Sequence, residues 1–175
     1  MKTNFPYTLW LMGPTSSGKS TIAEQFVREL VKNNATIIHY DGDEIRDFFD
    51  KDFGFNENNR GRVVETLAHL AKKANDAGIN VIVSALTAHQ SSREYISSNI
   101  PNLLVGYVTC PIDVCAERDP KGLYKMAKNG EIDTLIGYNS KYIAPTTPDI
   151  ILDTESQNVE ENVQRLIEYL NINLP

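Results

Sequence analysis

Positive charge and long apolar stretches are both scarce in this sequence. Its 175 residues contain 17 Lys and Arg against 23 Asp and Glu, which gives a formal net charge of −6. A nucleic-acid-binding surface needs clustered excess Lys and Arg, so we expect no nucleic-acid partner. No apolar run approaches the roughly 20 residues that cross a bilayer, and residues 1–6 contain no apolar signal core. We therefore expect a cytoplasmic protein that does not bind membranes.

Cysteine is rare, and internal repeats and low-complexity tracts are missing. The two cysteines, Cys110 and Cys115, form a C-x4-C pair with no second pair and no nearby His. A structural zinc ion needs four ligands, so this spacing favours two partly buried, reduced thiols over a metal site. Hydrophobic residues make up 41% of the chain and charged residues 23%, as in ordinary globular proteins. We expect one domain over residues 1–175.

The sequence does contain a complete phosphate-binding motif at residues 13–20, GPTSSGKS. It matches the P-loop pattern G-x-x-x-x-G-K-[ST]. An apolar run at residues 7–12 predicts a strand before it, and apolar residues at helical spacing predict a helix that opens near Lys19. A chance match in an ordinary strand-turn-helix is the alternative, and both flanks argue against it. The motif predicts that the chain binds a nucleoside triphosphate.

Each part of the motif has a physical task in phosphate binding. Backbone N–H groups of the loop and the positive end of the helix dipole converge on the phosphates. Lys19 can bridge the β- and γ-phosphates, and the Ser20 hydroxyl is placed to ligate Mg²⁺. The predicted phosphate-binding residues are Gly13, Ser16, Ser17, Gly18, Lys19, Ser20 and Thr21.

Strand patterns alternate with helical patterns along the rest of the chain. Strands are predicted at residues 35–40, 79–86, 103–109 and 149–153, with helices between them and after the last strand. This alternation predicts a three-layer α/β/α P-loop kinase domain with a mainly parallel five-stranded sheet. Two segments lack a clean period. Residues 50–60 are predicted to be an irregular loop before a helix at residues 60–77, and residues 120–147 are predicted to be a lid.

Three classes of P-loop protein compete at this point. A GTPase would carry an N-K-x-D motif, which is missing, and a motor or transport ATPase would end another apolar strand in Asp or Glu, where Ser84 stands. A small-molecule kinase often has its metal- or hydroxyl-facing carboxylate after the second strand. Asp41 and Asp43 occupy that position, on either side of Gly42. A turn with solvated carboxylates is the alternative, but the place beside the phosphate loop favours function.

Several further stretches resemble the adenylylsulfate (APS) kinase family, whose members phosphorylate the 3′-hydroxyl of adenosine 5′-phosphosulfate. The resemblance runs from about residue 10 to residue 170, nearly the whole chain. Its most specific match is the run DPKGLYK at residues 119–125. The other matches are DGDxxR at residues 41–46, KDxGF at residues 51–55, Arg60, GEI at residues 130–132 and ILDT at residues 151–154.

The resemblance implies an enzyme that uses ATP and Mg²⁺, and it assigns roles around the transferred phosphate. Asp41 would orient metal-bound water and help to deprotonate the attacking hydroxyl. The metal-binding residues would be Ser20 and Asp41, and the catalytic residues would be Lys19, Asp41 and Asp43. Arg118 would contribute to the ATP site.

On the acceptor side the resemblance implies a small-molecule nucleotide as substrate. Arg46 and Arg60 would hold its anionic 5′ group, because a planar guanidinium suits a phosphate-like oxyanion; a surface ion pair is the ordinary alternative for a lone Arg. Lys121 and Lys125 would close over the transferring phosphates. The predicted acceptor set is Arg46, Arg60, Val63, Thr87, Lys121, Gly122, Leu123 and Leu135. A homodimer is an open alternative to a monomer.

The departures from the family pattern lie on the acceptor side. Val63 stands where the family usually has Asn, and Glu65 and Thr66 stand where it has an arginine pair. Leu135 replaces an aromatic residue that stacks on the adenine of APS, and residues 86–89 read LTAH in place of ISPY. Stacking on a base can be worth roughly 1–3 kcal/mol, so these changes suggest a different acceptor base or 5′ group.

Four interpretations of the function remain open. APS is the default acceptor by resemblance, which would place the protein in sulfate assimilation. The second keeps the 3′-kinase chemistry on another nucleotide with a small anionic 5′ cap, such as cytidine diphosphoramidate in capsule precursor synthesis. A catalytically silent nucleotide-binding regulator is disfavoured because Lys19, Ser20, Asp41 and Asp43 are all retained. A small-alcohol or shikimate-like kinase is disfavoured by the lysine-rich run at residues 119–125.

Overall fold

The computed structural model of the protein describes residues 5–49 and 54–173. Its strands are β1 (Thr8–Met12), β2 (Ile37–Asp41), β3 (Asn80–Ala85), β4 (Leu103–Thr109) and β5 (Ile150–Asp153). Its helices are α1 (Lys19–Lys32), α2 (Gly42–Asp47), α3 (Glu57–Asp76), α4 (Gln90–Asn99), α5 (Ile112–Arg118), α6 (Leu123–Lys128) and α7 (Val159–Asn173). None of these helices has the length and apolar character needed to cross a membrane.

The five strands form one parallel sheet in the order β2-β3-β1-β4-β5. The central strand β1 pairs with β3 and β4 along its whole length, and all its residues are buried. Helices cover both faces of the sheet, so the predicted three-layer α/β/α architecture is confirmed. The loop after β1 lies at the carboxyl edge of the sheet, where open α/β folds bind their ligands.

Two hydrophobic clusters fill the layers on either side of the sheet. Because successive residues of a strand point to opposite faces, Leu9 and Leu11 enter one cluster while Trp10 and Met12 enter the other. Helices α1 and α7 cover the first cluster, and α3 and α4 cover the second. This packing on both faces anchors β1 and makes it a rigid base for the loop that follows.

Helix α3 begins at Glu57, three residues before the start predicted from the sequence. The side chain of Asn56 caps this helix, because its Oδ1 accepts a 2.9 Å hydrogen bond from the backbone N–H of Asn59. The prediction of irregular structure up to residue 60 is therefore wrong for residues 57–60. Asparagines that suggest a loop in the sequence serve here as a helix cap and a first turn. Residues 50–53, including Lys51 and Asp52 of the KDxGF match, lie outside the described ranges.

The segment predicted to be a lid, residues 120–147, contains the short helix α6 and otherwise irregular backbone. Gly122 precedes α6 with a φ of 69°, a left-handed value that glycine adopts at little cost. Tyr124 and Leu135 of this segment pack against the free thiols Cys110 and Cys115, which are 6% and 0% exposed. The thiols are thus more deeply buried than predicted. That the segment opens and closes as a lid stays a prediction.

Candidate active site

The loop between β1 and α1 depends on two glycines for its shape. A Cβ atom on Gly13 would lie 2.2 Å from the carbonyl oxygen of Val108, so a larger residue cannot fit there. Gly18 has a left-handed φ of 92° directly before the first residue of α1. No side chain caps this helix, so the first backbone N–H groups of α1 are presented to a ligand such as phosphate.

Lys19 lies folded over this loop. Its Nζ donates a 2.6 Å hydrogen bond to the carbonyl oxygen of Pro14 and a longer one, 3.5 Å, to Ser17 Oγ. Burial lowers the pKa of Lys19 to about 8, although the nearby carboxylates of Asp43 and Asp41 oppose the shift. Phosphate oxygens can replace the carbonyl partner, and their negative charge would stabilise the ammonium form.

Asp41, at the end of β2, is fixed by three hydrogen bonds. Its Oδ2 accepts one from Ser20 Oγ and one from Ser84 Oγ, both 2.6 Å long. Its Oδ1 accepts a 2.8 Å bond from the backbone N–H of Asp43, and Asp41 thereby caps α2. Burial would raise the pKa of Asp41, but these hydrogen bonds outweigh it and hold the pKa below its usual range. Asp41 is therefore a carboxylate at neutral pH.

Asp43, in the first turn of α2, contacts the segment after α5. Its Oδ2 forms an ion pair with Nζ of Lys121, and both side chains are about half exposed, at 58% and 51%. Exposed ion pairs contribute little to stability, so a ligand can break this contact at a small cost in free energy. Two residues predicted to flank the transferred phosphate thus meet across the mouth of the site.

Arg46 and Arg60 meet on the ring of Phe55. The guanidinium carbons lie 4.7 Å and 5.6 Å from the ring centroid. Arg46 donates to the carbonyl oxygen of Gly54 at 2.9 Å, and Arg60 Nε donates to that of Phe55 at 2.7 Å. Burial, together with the neighbouring charge of Arg46, lowers the pKa of Arg60 to about 10, so both groups stay cationic at neutral pH. The arrangement concentrates two positive charges beside one aromatic face.

A cavity of about 630 Å³ joins the phosphate loop to these arginines. Most residues predicted from the sequence line it: Ser16, Gly18, Lys19, Ser20, Thr21, Asp43, Arg46, Arg60, Val63, Thr87, Arg118, Lys121, Leu123 and Leu135. Gly13, Ser17, Asp41 and Gly122 are not among the lining residues. Asp41 lies directly behind the wall, since Ser20, Gly42 and Ser84 around it do line the cavity. The structure thus gathers the predicted donor and acceptor residues around one space.

The Thr87 hydroxyl, which the sequence predicts to bind substrate, is hydrogen-bonded inside the protein. Its Oγ1 accepts a 2.8 Å hydrogen bond from the indole Nε1 of Trp10. Thr87 is 3% exposed and is one of the residues that line the cavity. Its φ of 40° is unusual for a β-branched residue.

Two positions that depart from the family pattern, Val63 and Leu135, place apolar side chains on the cavity wall. Val63 and Leu135 are 4% and 5% exposed, and both line the cavity together with Val64 and Ile132. Phe55 is the one Phe, Tyr or Trp among the lining residues in the described part of the chain. A base entering this end of the cavity would therefore have one aromatic partner and an aliphatic wall.

Comparison with known proteins decides the family. The family model of adenylylsulphate kinase matches residues 5–153, most of the chain. The chain belongs to the adenylyl-sulfate kinase family. The adenylyl-sulfate kinase of Oceanobacillus iheyensis is 35% identical over 164 residues, which is 93% of this chain and 82% of the relative. That of Vibrio cholerae is 36% identical over 172 residues, 97% of this chain and 80% of the relative.

A solved structure of the adenylyl-sulfate kinase family shares the fold. The APS kinase of Mycobacterium tuberculosis, solved in complex with AMPPNP and APS, is 30% identical to this chain. The two structures superpose with a TM-score of 0.89 over 95% of this chain and 98% of the other. As a member of this family the protein is a phosphotransferase with an alcohol group as acceptor. Residues 13–20 form its nucleotide-binding P-loop, and the family uses ATP.

Four residues near the cavity have no role assigned by the sequence motifs. Phe55 lies within the KDxGF match, where an aromatic residue in a polar loop is a usable signal. Thr154 is the last residue of the ILDT match; it accepts from Arg118 at 3.1 Å and donates to the Ser17 carbonyl at 2.9 Å. Ser84 and His39 belong to no motif, and only the pairing of β2 with β3 brings Ser84 to Asp41 and His39.

Proposed function

We propose that this protein transfers the terminal phosphoryl group of ATP to the ribose 3′-hydroxyl of a nucleotide that carries an anionic 5′ group. The observation that carries the proposal is the 2.6 Å hydrogen bond from Ser20 to Asp41. It joins the phosphate loop to the strand end that borders the acceptor side of the cavity. A carboxylate at this junction lies directly behind the cavity wall, close to both the donor end and the acceptor end of the cavity.

The donor end of the cavity supplies positive charge for the phosphates. Backbone N–H groups at the start of α1 point toward the loop, and Lys19 exchanges the Pro14 carbonyl for phosphate oxygens. A fixed ammonium there stabilises the charge that develops as the phosphoryl group is transferred. Arg118 and Thr154 line the same end, beside Gln157 and Val159, and are suited to hold the rest of ATP.

The residues beside the loop fit Mg²⁺, the ion expected with ATP. Ser20 and Asp41 offer the oxygen ligands that Mg²⁺ prefers. Over residues 5–49 and 54–173 there is no cluster of three His, Cys, Asp or Glu side chains that could hold a metal ion. One or two protein oxygens suffice for Mg²⁺ in phosphoryl transfer, because phosphates and water supply its other ligands. When bound, the ion would neutralise phosphate charge.

Asp41 is the residue that we assign to the attacking hydroxyl. Its pKa is held below the usual range, which makes it a weak base that accepts a hydrogen bond from the hydroxyl throughout the approach. As the new bond between the hydroxyl oxygen and phosphorus forms, the bond from phosphorus to the ADP oxygen breaks and the hydroxyl proton passes to Asp41 and then to solvent. The proton moves late in a loose transition state, so a weak base is adequate. Its main contribution is therefore orientation of the acceptor oxygen.

The acceptor's anionic 5′ group is assigned to Arg46 and Arg60. Both guanidinium groups line the cavity and keep their charge, as required for a sulfate- or phosphate-like oxyanion. Phe55, which lies under both arginines, offers its ring to the base of the acceptor or to its sugar. The placement supports a nucleotide rather than a plain sugar as acceptor.

APS is the first candidate acceptor. The two curated relatives named above are adenylyl-sulfate kinases, and the M. tuberculosis enzyme was solved with APS bound. A second candidate is a pyrimidine nucleotide with a small anionic cap, such as cytidine diphosphoramidate. The buried apolar positions Val63 and Leu135 favour it, since among the described residues they leave Phe55 as the one Phe, Tyr or Trp that lines the cavity.

A coupled ADP-release assay across APS, cytidine nucleotides and simple sugars tests the proposal. We expect turnover with at least one nucleotide above the rate of ATP hydrolysis without acceptor. Turnover with sugars alone would replace the nucleotide by a simple alcohol as substrate. A rate that no acceptor increases, in protein shown to bind ATP, would favour a nucleotide-binding regulator.

A further inference from the structure

Behind Asp41 a chain of polar groups runs across the sheet. Ser84 Oγ lies 2.6 Å from Asp41 Oδ2, and His39 Nε2 lies 2.8 Å from Ser84 Oγ. His39 and Asp41 are two residues apart on β2, so their side chains project from the same face, and Ser84 is the partner of Asp41 on β3. None of these contacts is expected from the P-loop or from the DGDxxR match.

The direction of the hydrogen bonds in this chain follows from proton counting. Ser84 has one hydroxyl proton, and a 2.6 Å contact to an ionised carboxylate, which has no proton to give, places that proton on the bond to Asp41. The second contact of Ser84 Oγ must then be an acceptor contact. His39 therefore donates from Nε2–H to Ser84, which makes Nδ1 the unprotonated nitrogen of the neutral ring.

These bonds limit what Asp41 can still accept. A carboxylate has about four acceptor sites, two on each oxygen. Both sites on Oδ2 are taken, by Ser20 and Ser84, and one on Oδ1 is taken by the backbone N–H of Asp43. Of the hydrogen bonds among the described residues, these three reach the Asp41 carboxylate. They leave one acceptor site, on Oδ1, for the attacking hydroxyl, and a Mg²⁺ ion held by Ser20 and Asp41 would replace the Ser20 hydrogen bond on Oδ2.

We propose that Ser84 and His39 are positioning residues for phosphoryl transfer, acting through Asp41. His39 donates to Ser84 and holds its hydroxyl oxygen in place while the Ser84 proton bonds Oδ2. Ser84 and the backbone N–H of Asp43 then fix the plane of the carboxylate so that the remaining Oδ1 site faces the hydroxyl. This inference rests on the proposed function, in which Asp41 contacts the acceptor. Ser84 is 2% exposed and lies at the end of a buried strand, so its own position is rigid.

Variants at position 39 test whether His39 acts through its hydrogen bond to Ser84 or serves only as a residue of strand β2. The amide nitrogen of Gln can reach the place of Nε2, whereas Asn is too short and Leu has no donor. We expect His39→Gln to keep kcat within about twofold, and His39→Asn and His39→Leu to lower kcat about five- to tenfold, the scale of one hydrogen bond. The KM for ATP should change less than twofold. His69, exposed on α3, gives the matched control His69→Leu with unchanged kcat.

Ser84→Ala should lower kcat by at least about tenfold, because the lost bond is to a charged group. Adding His39→Leu to Ser84→Ala should then cost almost nothing more, because His39 acts only through Ser84. Additive effects would overturn the proposal, as would a His39→Leu protein with wild-type kcat per folded molecule. Thermal unfolding of each variant supplies the folded fraction, and the Gln variant keeps the test valid if the Leu variant folds poorly.

A second measurement on the wild-type protein needs no acceptor and no variant. Long-range ¹H–¹⁵N correlation spectra distinguish the two neutral tautomers of a histidine ring. We expect His39 as the Nε2–H tautomer; an Nδ1–H tautomer would mean that Ser84 donates to His39 and would overturn the proposal. If no acceptor in the panel is turned over, the proposed function fails, and this spectrum still decides the direction of the hydrogen bonds.

Discussion

The indole Nε1 of Trp10 donates a 2.8 Å hydrogen bond to Thr87 Oγ1, linking the central strand to the loop after β3. Both side chains are buried, at 0% and 3% exposure. Arg93 Nε donates a 3.0 Å hydrogen bond to the backbone carbonyl oxygen of Thr87. These contacts keep Thr87 at its positive φ of 40°, a conformation that costs free energy in a β-branched residue. Thr87 therefore helps to shape the wall of the cavity.

Thr87→Val should destabilise the protein although it preserves the shape of the side chain. The substitution leaves the buried indole N–H without an acceptor, which costs about 1–3 kcal/mol in the free energy of unfolding. Denaturation by urea measures the loss. Thr87→Ser keeps the acceptor oxygen and is the control. Equal stability of the Val and Ser variants would show that the bond to Trp10 contributes nothing.

The activity should fall at alkaline pH because of Lys19. Burial lowers the pKa of Lys19 to about 8, so the free protein loses this positive charge as the pH rises through that value. The ratio kcat/KM for ATP reports the free enzyme and should decrease above about pH 8. In Lys19→Arg the charge persists through this range, so the remaining activity should lack that decrease. A wild-type profile that stays flat to pH 10 contradicts the assignment.

Asp41→Asn should slow transfer by about a hundredfold and leave ATP binding nearly unchanged. The substitution keeps the shape of the side chain and removes its charge and basicity, which a positioned base contributes at this scale. Single-turnover transfer and calorimetric ATP binding measure the two effects separately. If ATP affinity collapses while transfer within the bound complex is unaffected, Asp41 serves only the metal site or the fold.

The acceptor preference should respond to Val63 and Leu135. We expect the double variant Val63→Asn, Leu135→Phe to raise kcat/KM for APS and to lower it for a cytidine nucleotide, because it adds a polar contact and a stacking ring. The two changes face one cavity, so their effects should be non-additive. Lys72→Gln, exposed on α3, is the control. If the unmodified protein already uses APS with kcat/KM of about 10⁴ M⁻¹s⁻¹ or more, the hypothesis that Val63 and Leu135 favour another acceptor fails.

The fold could be predicted because each element has a strong local signal. The apolar run before residue 13 and the glycines of the loop define β1 and its turn, and β4 begins and ends where the pattern predicts, at Leu103 and Thr109. The start of α3 could not be predicted from composition, because an asparagine-rich stretch is typical of both loops and helix caps. Only the bond from Asn59 to Asn56 distinguishes the two.

The site could be predicted where a motif carries the chemistry, and not where tertiary contacts do. Lys19 and Ser20 were predicted from the P-loop spacing and Asp43 from its place after the second strand and the family resemblance, and all of them line the cavity. The link from Ser84 to Asp41 depends on which strands become neighbours, and β2 and β3 are separated in sequence by two helices. For Thr87 the sequence prediction differs from the structure: its hydroxyl was predicted to bind substrate, and it accepts a hydrogen bond from Trp10 in the core.

The position of the phosphate in the product tests the account most directly. The wild-type protein is incubated with ATP, Mg²⁺ and the best acceptor from the ADP-release panel, and the product is examined by ³¹P and ¹H NMR. We predict one new phosphomonoester, coupled to the ribose H3′ and formed in equal amount to ADP. A monoester on another hydroxyl, or ADP release without a phosphorylated nucleotide, would contradict the proposed 3′-kinase activity.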